Sequence, residues 1–381
     1  MTNKQEYLYF NAINMDSNIY ILKNDGYLYK NGTTKITSVG NIKMFYGVYL
    51  QGIILTNDGK VYTTTNDFST ATLISSLSDK HICWVAGGYR NGFLAITEDN
   101  QLYVWGANTR GALGVGHSNS VPSPTLVTLP NNEKPFMAVS SDESTAIITK
   151  TGNVYVAGYL IKTHTSGTVT YNTFTKSDIS NVTHMSMGCD SINYMSMYAI
   201  TADGKAYVIG TASPGKWTQV NGISNARFTL GCDSDSVAGM VDNDGNAYYV
   251  SGTNATKLNN ISSAIANYAQ KSTIICSTSD GKIYSGGYTS PSLNSTYSSN
   301  AAKAEIKIDG LFVALPSNIT NSTYTTAPNK LTYYYQVKFI QTDQITETSN
   351  VVNYETTRIL SVLRKILIIN ILYKLIRYRN F

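Results

Sequence analysis

Residues Val104–Pro124 read VWGANTRGALGVGHSNSVPSP. Gly106, Gly111, Gly114 and Gly116 are too closely set for a helix or a plain strand, but they suit a loop that needs positive φ or close backbone approach. Trp105 and Leu113 are apolar anchors for such a loop to fold over. Working outward, the residues before the cluster, FLAITEDNQLYVWG, are two short apolar strands about a tight turn. The quoted stretch is therefore the end of a hairpin and the loop that leaves it.

That hairpin recurs along the chain. The copies are IYILKNDGYLY, GIILTNDGKVY, FLAITEDNQLY, AIITKTGNVY, YAITADGKAY, GMVDNDGNAY and IICSTSDGKIY. Their turn residues, Gly26, Gly59, Asn100, Gly152, Gly204, Gly245 and Gly281, are spaced by 33, 41, 52, 52, 41 and 36 residues. Three residues past each turn stands a tyrosine: Tyr29, Tyr62, Tyr103, Tyr155, Tyr207, Tyr248 and Tyr284. Period-2 alternation puts each on one face of its strand, which suggests packing between repeats with the hydroxyl on a backbone group or water. Glycine recurs six residues past the turn at 32, 106, 158, 210 and 287, where each strand is expected to leave its sheet.

The cluster W-G-x-N-x-x-G-x-L-G-x-G resembles the repeat signature of the regulator-of-chromosome-condensation family, with Ala112 where the family usually has glutamine. The resemblance implies a β-propeller, and Trp105, Gly106, Asn108, Gly111, Leu113, Gly114 and Gly116 become residues of a structural repeat. Seven units of about 42 residues, each with room for four short strands, describe an all-β, seven-bladed β-propeller over residues 1–300. The segment Tyr7–Ala12 is the expected closing strand, completing the last blade. What the signature leaves outward, Thr109, Arg110, His117, Ser118 and Asn119, is the candidate partner-binding surface, because exposed loops on a rigid scaffold carry contacts.

Beyond residue 300 the tyrosine register is lost. Residues 301–357 read as a small C-terminal β appendage, with an alternating stretch LTYYYQVKFIQTDQITETS that resembles late strands of a fibronectin type III sandwich. The tail 358–381 carries six Arg or Lys and no acid among Ile, Leu and Val. It reads either as a basic terminal helix at a membrane surface or partner groove, or as a shifted reading frame. Its longest uncharged run is far shorter than the ~20 residues that a membrane span needs.

Only 14% of the 381 residues are charged, against ~25% in typical soluble domains. The 29 tyrosines, with Asn, Ser and Thr, must cover much of the surface. Net charge is +5, and it comes from the tail, so the body offers no electrostatic basis for nucleic-acid binding. Cys83, Cys189, Cys232 and Cys276 lie too far apart for a zinc or disulfide pattern and read as buried small residues. The first eighteen residues contain no apolar run of signal-peptide type, so no signal peptide is expected.

Three constellations invite chemistry. Gly210–Lys216 (GTASPGK) fits G-x-x-x-x-G-K, but Trp217 stands where a phosphate loop needs Ser or Thr. His184, Met185, Met187, Cys189, Met195 and Met197 are soft ligands, though filling gaps between blades explains them better. Asp233, Asp235, Asp242 and Asp244 fail the EF-hand spacing, and Asn243-Asp244-Gly245 is a hairpin turn. His81 and His184 read as strand-edge residues before the innermost strands of their repeats. The expectation is a non-catalytic binding or scaffold propeller, with no cofactor or metal, contacting protein partners or surface glycan as a structural component of a virion or cell-surface assembly. The alternatives are a guanine-nucleotide exchange regulator of a small GTPase and an enzyme with a channel-mouth site.

Overall fold

A computed structural model describes residues 6–8, 12–15, 18–47, 51–88, 92–141, 143–163, 167–188, 196–210, 213–231, 237–298, 305–308 and 311–314. Among them lie seven consecutive four-stranded antiparallel meanders. Their innermost strands are Ala12–Met15, Ile42–Gly47, Ile82–Gly87, Pro135–Ser140, Val182–Gly188, Ala226–Gly231 and Ala264–Gln270, and these open blades 1 to 7. The innermost strands neighbour one another around an axis. In blades 6 and 7 they also pair in parallel, at Leu230↔Tyr268 and Gly231↔Ala269, fusing two blades into one eight-stranded sheet.

Burial falls from the axis outward, and the sequence follows it. The second strands are almost wholly buried: Gly92–Thr97 and Ser196–Thr201 have no exposed position, because neighbouring blades cover both faces. They therefore read as continuous apolar runs without alternation. The third strands alternate, as in Leu102–Gly106, and the fourth are mostly exposed, as in Val121–Val127.

Each hairpin turn docks on the next blade. The Gly204 carbonyl accepts from Ala226 N–H at 2.8 Å, and the Asn225 carbonyl accepts from Asn243 N–H at 2.9 Å. The same step joins Gly26 to Ile42, Gly152 to Val182 and Gly245 to Ala264. The residue before these innermost strands lies in the left-handed region: Asn41, His81, Asn181, Asn225 and Ser263 all have φ between +49° and +58°. Asparagine tolerates that conformation, which accounts for its recurrence there. His81 is thus a left-handed junction residue, whereas His184 lies inside its strand and does not share that place.

Most turns are braced from within. The hydroxyls of Thr56, Thr201 and Thr278 donate to Asp58, Asp203 and Asp280 at 2.5–2.6 Å, and Thr97 donates to Asp99. In blade 6 Asp242 replaces the threonine and accepts from Asp244 N–H at 2.9 Å and Asn246 N–H at 2.8 Å. The Lys205 ammonium, then the Thr201 hydroxyl, hold the Asp203 carboxyl down to about 2.

The repeated tyrosines pair with the fourth strand of their own blade, as Tyr62↔Leu73, Tyr103↔Leu126 and Tyr284↔Leu293. Where a hydroxyl partner is resolved it is a side chain of the same hairpin, not backbone: Asp25 for Tyr29 at 2.8 Å, Gln101 for Tyr103 at 3.1 Å, Asp242 for Tyr248 at 2.9 Å. The recurring glycine ends the third strand at Gly106, Gly210 and Gly287, as expected, whereas at Gly158 the strand continues to Thr163. At Gly106, Gly158 and Gly210 the pairing register also shifts, so there the glycine lies beside a bulge.

Closure corrects a further expectation. Glu6–Leu8 pairs with Glu305–Ile308, which pairs with Leu311–Ala314, so this N-terminal segment does not complete the last blade. Blade 7 carries its own fourth strand, Ser292–Leu293, and the ring closes by Ala12–Met15 packing beside Ala264–Gln270 and Thr273–Thr278. The helical turn Ser295–Ser298 then lies against blade 1, with Thr296 and Tyr297 against Gly32. Residues 315–381, with the alternating stretch and the basic tail, lie outside the described residues, as do Cys189, Cys232, Asp233, Asp235 and Met195. Among the described residues no helix is long and apolar enough to cross a membrane.

Candidate functional site

Successive antiparallel strands give the disc two unlike faces. One carries the hairpin turns. The other carries the loops between first and second strands and between third and fourth, including the signature loop of blade 3 and the long hairpin of blade 4, Val154–Thr163 with Gly167–Lys176.

The signature loop is organised by Asn108, which is 2% exposed. Its Nδ2 donates to the carbonyls of His117 at 2.6 Å and Asn119 at 3.1 Å, while its Oδ1 accepts from Leu113 N–H at 2.8 Å. One side chain thereby ties both ends of the loop to its middle. Trp105 is buried against Phe93, ring centroids 5.8 Å apart, and Leu113 is buried next to Gly92. The glycines form a clamp on blade 4: Gly111 lies on Asn172, Gly114 on the Phe174 ring, and Gly116 N–H donates to the Asn172 carbonyl at 2.7 Å. No cradle for a ligand is left, because the backbone approach that the glycines permit is taken by the neighbouring blade.

Outside the clamp, His117, Ser118 and Asn119 are exposed, Thr109 is half-buried, and Arg110 is exposed. Arg110 sits at φ +56°, its Nε 3.6 Å from the buried Glu143 carboxylate and its guanidinium 5.2 Å from the centre of the Tyr159 ring. The five candidates thus share one ridge, and Glu143 and Tyr159 join them from blade 4. Sequence reading missed these two, since only the clamp brings blade 4 under Arg110.

Along the axis a bulge at the second residue of the innermost strand recurs in blades 2 to 7. It turns the third residue inward, and Met44, Trp84, His184 and Phe228 line a narrow axial space of about 30 Å3 with Met185 and Met187. Trp84 Nε1–H donates to the Ala138 carbonyl at 2.7 Å across blades. His184 is fully enclosed, its ring 4.9 Å from Phe228, and its Nδ1 accepts from Thr229 N–H at 3.3 Å. Burial first, then the Arg227 charge, hold its pKa down to about 3. Met185, Met187 and Met197 are buried wall residues. Among the described residues no group of three His, Cys, Asp or Glu could hold a metal ion.

Ser213–Gln219 is the fourth strand of blade 5, so the GTASPGK stretch does not open a helix and cannot cradle phosphate as a phosphate loop does. Asp242 serves its hairpin turn and the Tyr248 hydroxyl.

Residues 99–148 match the family model described as Regulator of chromosome condensation (RCC1) repeat. The chain is 33% identical over 85 residues to the Ultraviolet-B receptor UVR8 of Arabidopsis thaliana, covering 22% of this chain and 19% of that protein. It is 29% identical over 147 residues to the X-linked retinitis pigmentosa GTPase regulator of Mus musculus, covering 36% and 14%. The matched stretches span less than a fifth of either relative's length. Among solved structures, Prp20p from Saccharomyces cerevisiae superposes with a TM-score of 0.56 at 14% identity, over 77% of this chain and 86% of that one. The computationally designed Ika8 protein superposes at 0.50, with 14% identity, over 83% and 95%. The chain folds as a β-propeller, and its residues 99–148 match the regulator-of-chromosome-condensation repeat.

Proposed function

We propose that this chain is a non-catalytic protein-binding propeller whose contact ridge is the outward part of the blade 3 loop, Thr109, Arg110, His117, Ser118 and Asn119, backed by Tyr159. The observation that supports it is the division of labour within the loop. Asn108, Leu113 and the glycines are consumed in holding blade 4, while an arginine over a tyrosine, residue types common among binding hot spots, stays at the surface. The low charge of the chain suits contacts made by Tyr, Asn, Ser and Thr rather than long-range steering. Membership of a virion or cell-surface assembly, or a glycan partner, rests on that composition alone.

A second reading, regulation of a small GTPase, is favoured by the name of the mouse relative, a GTPase regulator. The two separate in a nucleotide-release assay. GDP dissociation from a panel of small GTPases is expected to be unchanged by the purified chain. An acceleration of tenfold or more on any of them would overturn the scaffold reading in favour of exchange.

A further inference from the structure

On the hairpin-turn face, a polar cleft of about 210 Å3, open to solvent, runs between blades 5 and 6. Thr201, Gly204, Asn225 and Asn243 form its sides, and His184 and Arg227 line it as well. We propose that this cleft binds an oxyanion, with Arg227 as its cation and the His184 Nε2–H as a hydrogen-bond donor.

By register, the third residue of one innermost strand and the bulged second residue of the next are Met44 with Cys83, Trp84 with Phe136, Met137 with Thr183, His184 with Arg227 and Phe228 with Ile265, and the bulged residue of blade 2 is Lys43. Lys43 is half-buried, whereas Arg227 is buried and acts electrostatically on a second buried ionisable side chain, His184. Such departures from an apolar interior concentrate where function has been selected. His184 is 4% exposed and Arg227 8%.

The imidazole itself points to a ligand. Because Nδ1 accepts from Thr229 N–H, the neutral ring carries its proton on Nε2, and the two nitrogens diverge, turning Nε2 away from Thr229. That Nε2 is buried without a hydrogen-bond partner, a costly state that an acceptor would relieve. The other charge on the lining, Asp203, is already engaged by Lys205 at 2.7 Å and by Thr201 at 2.6 Å, so it is offset where it stands. Charge-assisted bonds to a guanidinium suit carboxylate and phosphate oxygens.

The test titrates the full chain with inorganic phosphate at constant ionic strength, following the His184 ring nitrogens by NMR, with the signal assigned by its loss in His184→Gln. Wild type is expected to show a saturable shift of that signal. Arg227→Gln is expected to weaken binding about tenfold or more, as loss of a charged hydrogen-bond partner does. Lys60→Gln, the equivalent turn lysine of blade 2, is expected to change affinity less than about twofold, since exposed pairs contribute little. A parallel titration with N-acetyl-aspartate amide distinguishes a carboxylate presented by a protein from free phosphate, and saturation by either supports the site. No saturable shift with either up to about 10 mM, or equal weakening by Lys60→Gln and Arg227→Gln, would overturn it. The wild-type titration decides the matter even if Arg227→Gln does not fold.

Discussion

Replacing Asn108 by alanine should unfasten the signature loop while leaving the rest of the disc folded. Three hydrogen bonds go at once: two from Nδ2 to the His117 and Asn119 carbonyls, and one from Leu113 N–H to Oδ1. The Leu113 bond is buried, so its N–H is left without a partner at a cost of about 1–3 kcal/mol. The two carbonyls are partly buried and can turn to water, so each adds about 0.5–1 kcal/mol. The total is about 3 kcal/mol, which is roughly a hundredfold rise in local opening. Hydrogen–deuterium exchange reads this directly. Peptides spanning residues 108–120 and the blade 4 segment that holds Asn172 and Phe174 should exchange about a hundredfold faster, while Val237–Asp242 in blade 6 stays protected. Asn108→Asp should be no milder, because a carboxylate keeps the acceptor for Leu113 but faces two carbonyl oxygens. A rise of less than about fivefold in Asn108→Ala, or an equal rise in blade 6, would refute the assignment of Asn108 as the centre of a local clamp.

Gly114→Ala and Gly116→Ala form a matched pair. Both glycines have positive φ, but a Cβ at 114 would overlap the Phe174 ring and one at 116 meets nothing. Gly116→Ala should cost about 1 kcal/mol of backbone strain and Gly114→Ala about 2 kcal/mol more in a denaturation experiment; equal losses would contradict the clamp. Trp84→Phe should lose about 1–2 kcal/mol by leaving the buried Ala138 carbonyl unpaired, and an unchanged midpoint in urea would contradict the inter-blade bond. Folded His184 titrates near 3 and unfolded histidine near 6.5, so below pH 6 the unfolded chain holds one proton more. Stability should therefore fall as pH drops, by about 1.4 kcal/mol per unit between pH 6 and about 4, above the range where Asp67 and Asp203, held near 2, add their own loss. His184→Gln should remove that slope, and a slope retained in His184→Gln would assign it to other groups.

The fold was legible because its repeat is marked by residues with few other uses. An Asp-Gly turn with tyrosine three positions on has a local cause, so Asp203-Gly204 and Tyr207 identify a blade even where the W-G-x-N cluster has decayed. Asn108 and the glycines of the blade 3 loop were legible as structural residues for the same reason. Closure was not, because Glu6–Leu8 has no local feature preferring Glu305–Ile308 over the outer edge of blade 7. The wall of the axis was hidden by the bulges. An extra residue at Thr183 or Arg227 shifts the alternation by one, so His184 faces inward although simple period-2 reading leaves it at a strand edge. The partners of Arg110 were hidden by distance, since Glu143 and Tyr159 belong to the next blade.

Site-specific photo-crosslinking measures where partners meet the disc. A benzophenone side chain at Ser118, on the exposed tip of the signature loop, is compared in the native host with one at Lys60, on the hairpin-turn face. A discrete crosslinked protein from position 118, absent from position 60 and lost on Arg110→Ala, is the predicted result. Crosslinking from position 60 alone, or equally from both, would contradict the assignment of the blade 3 ridge as the binding surface.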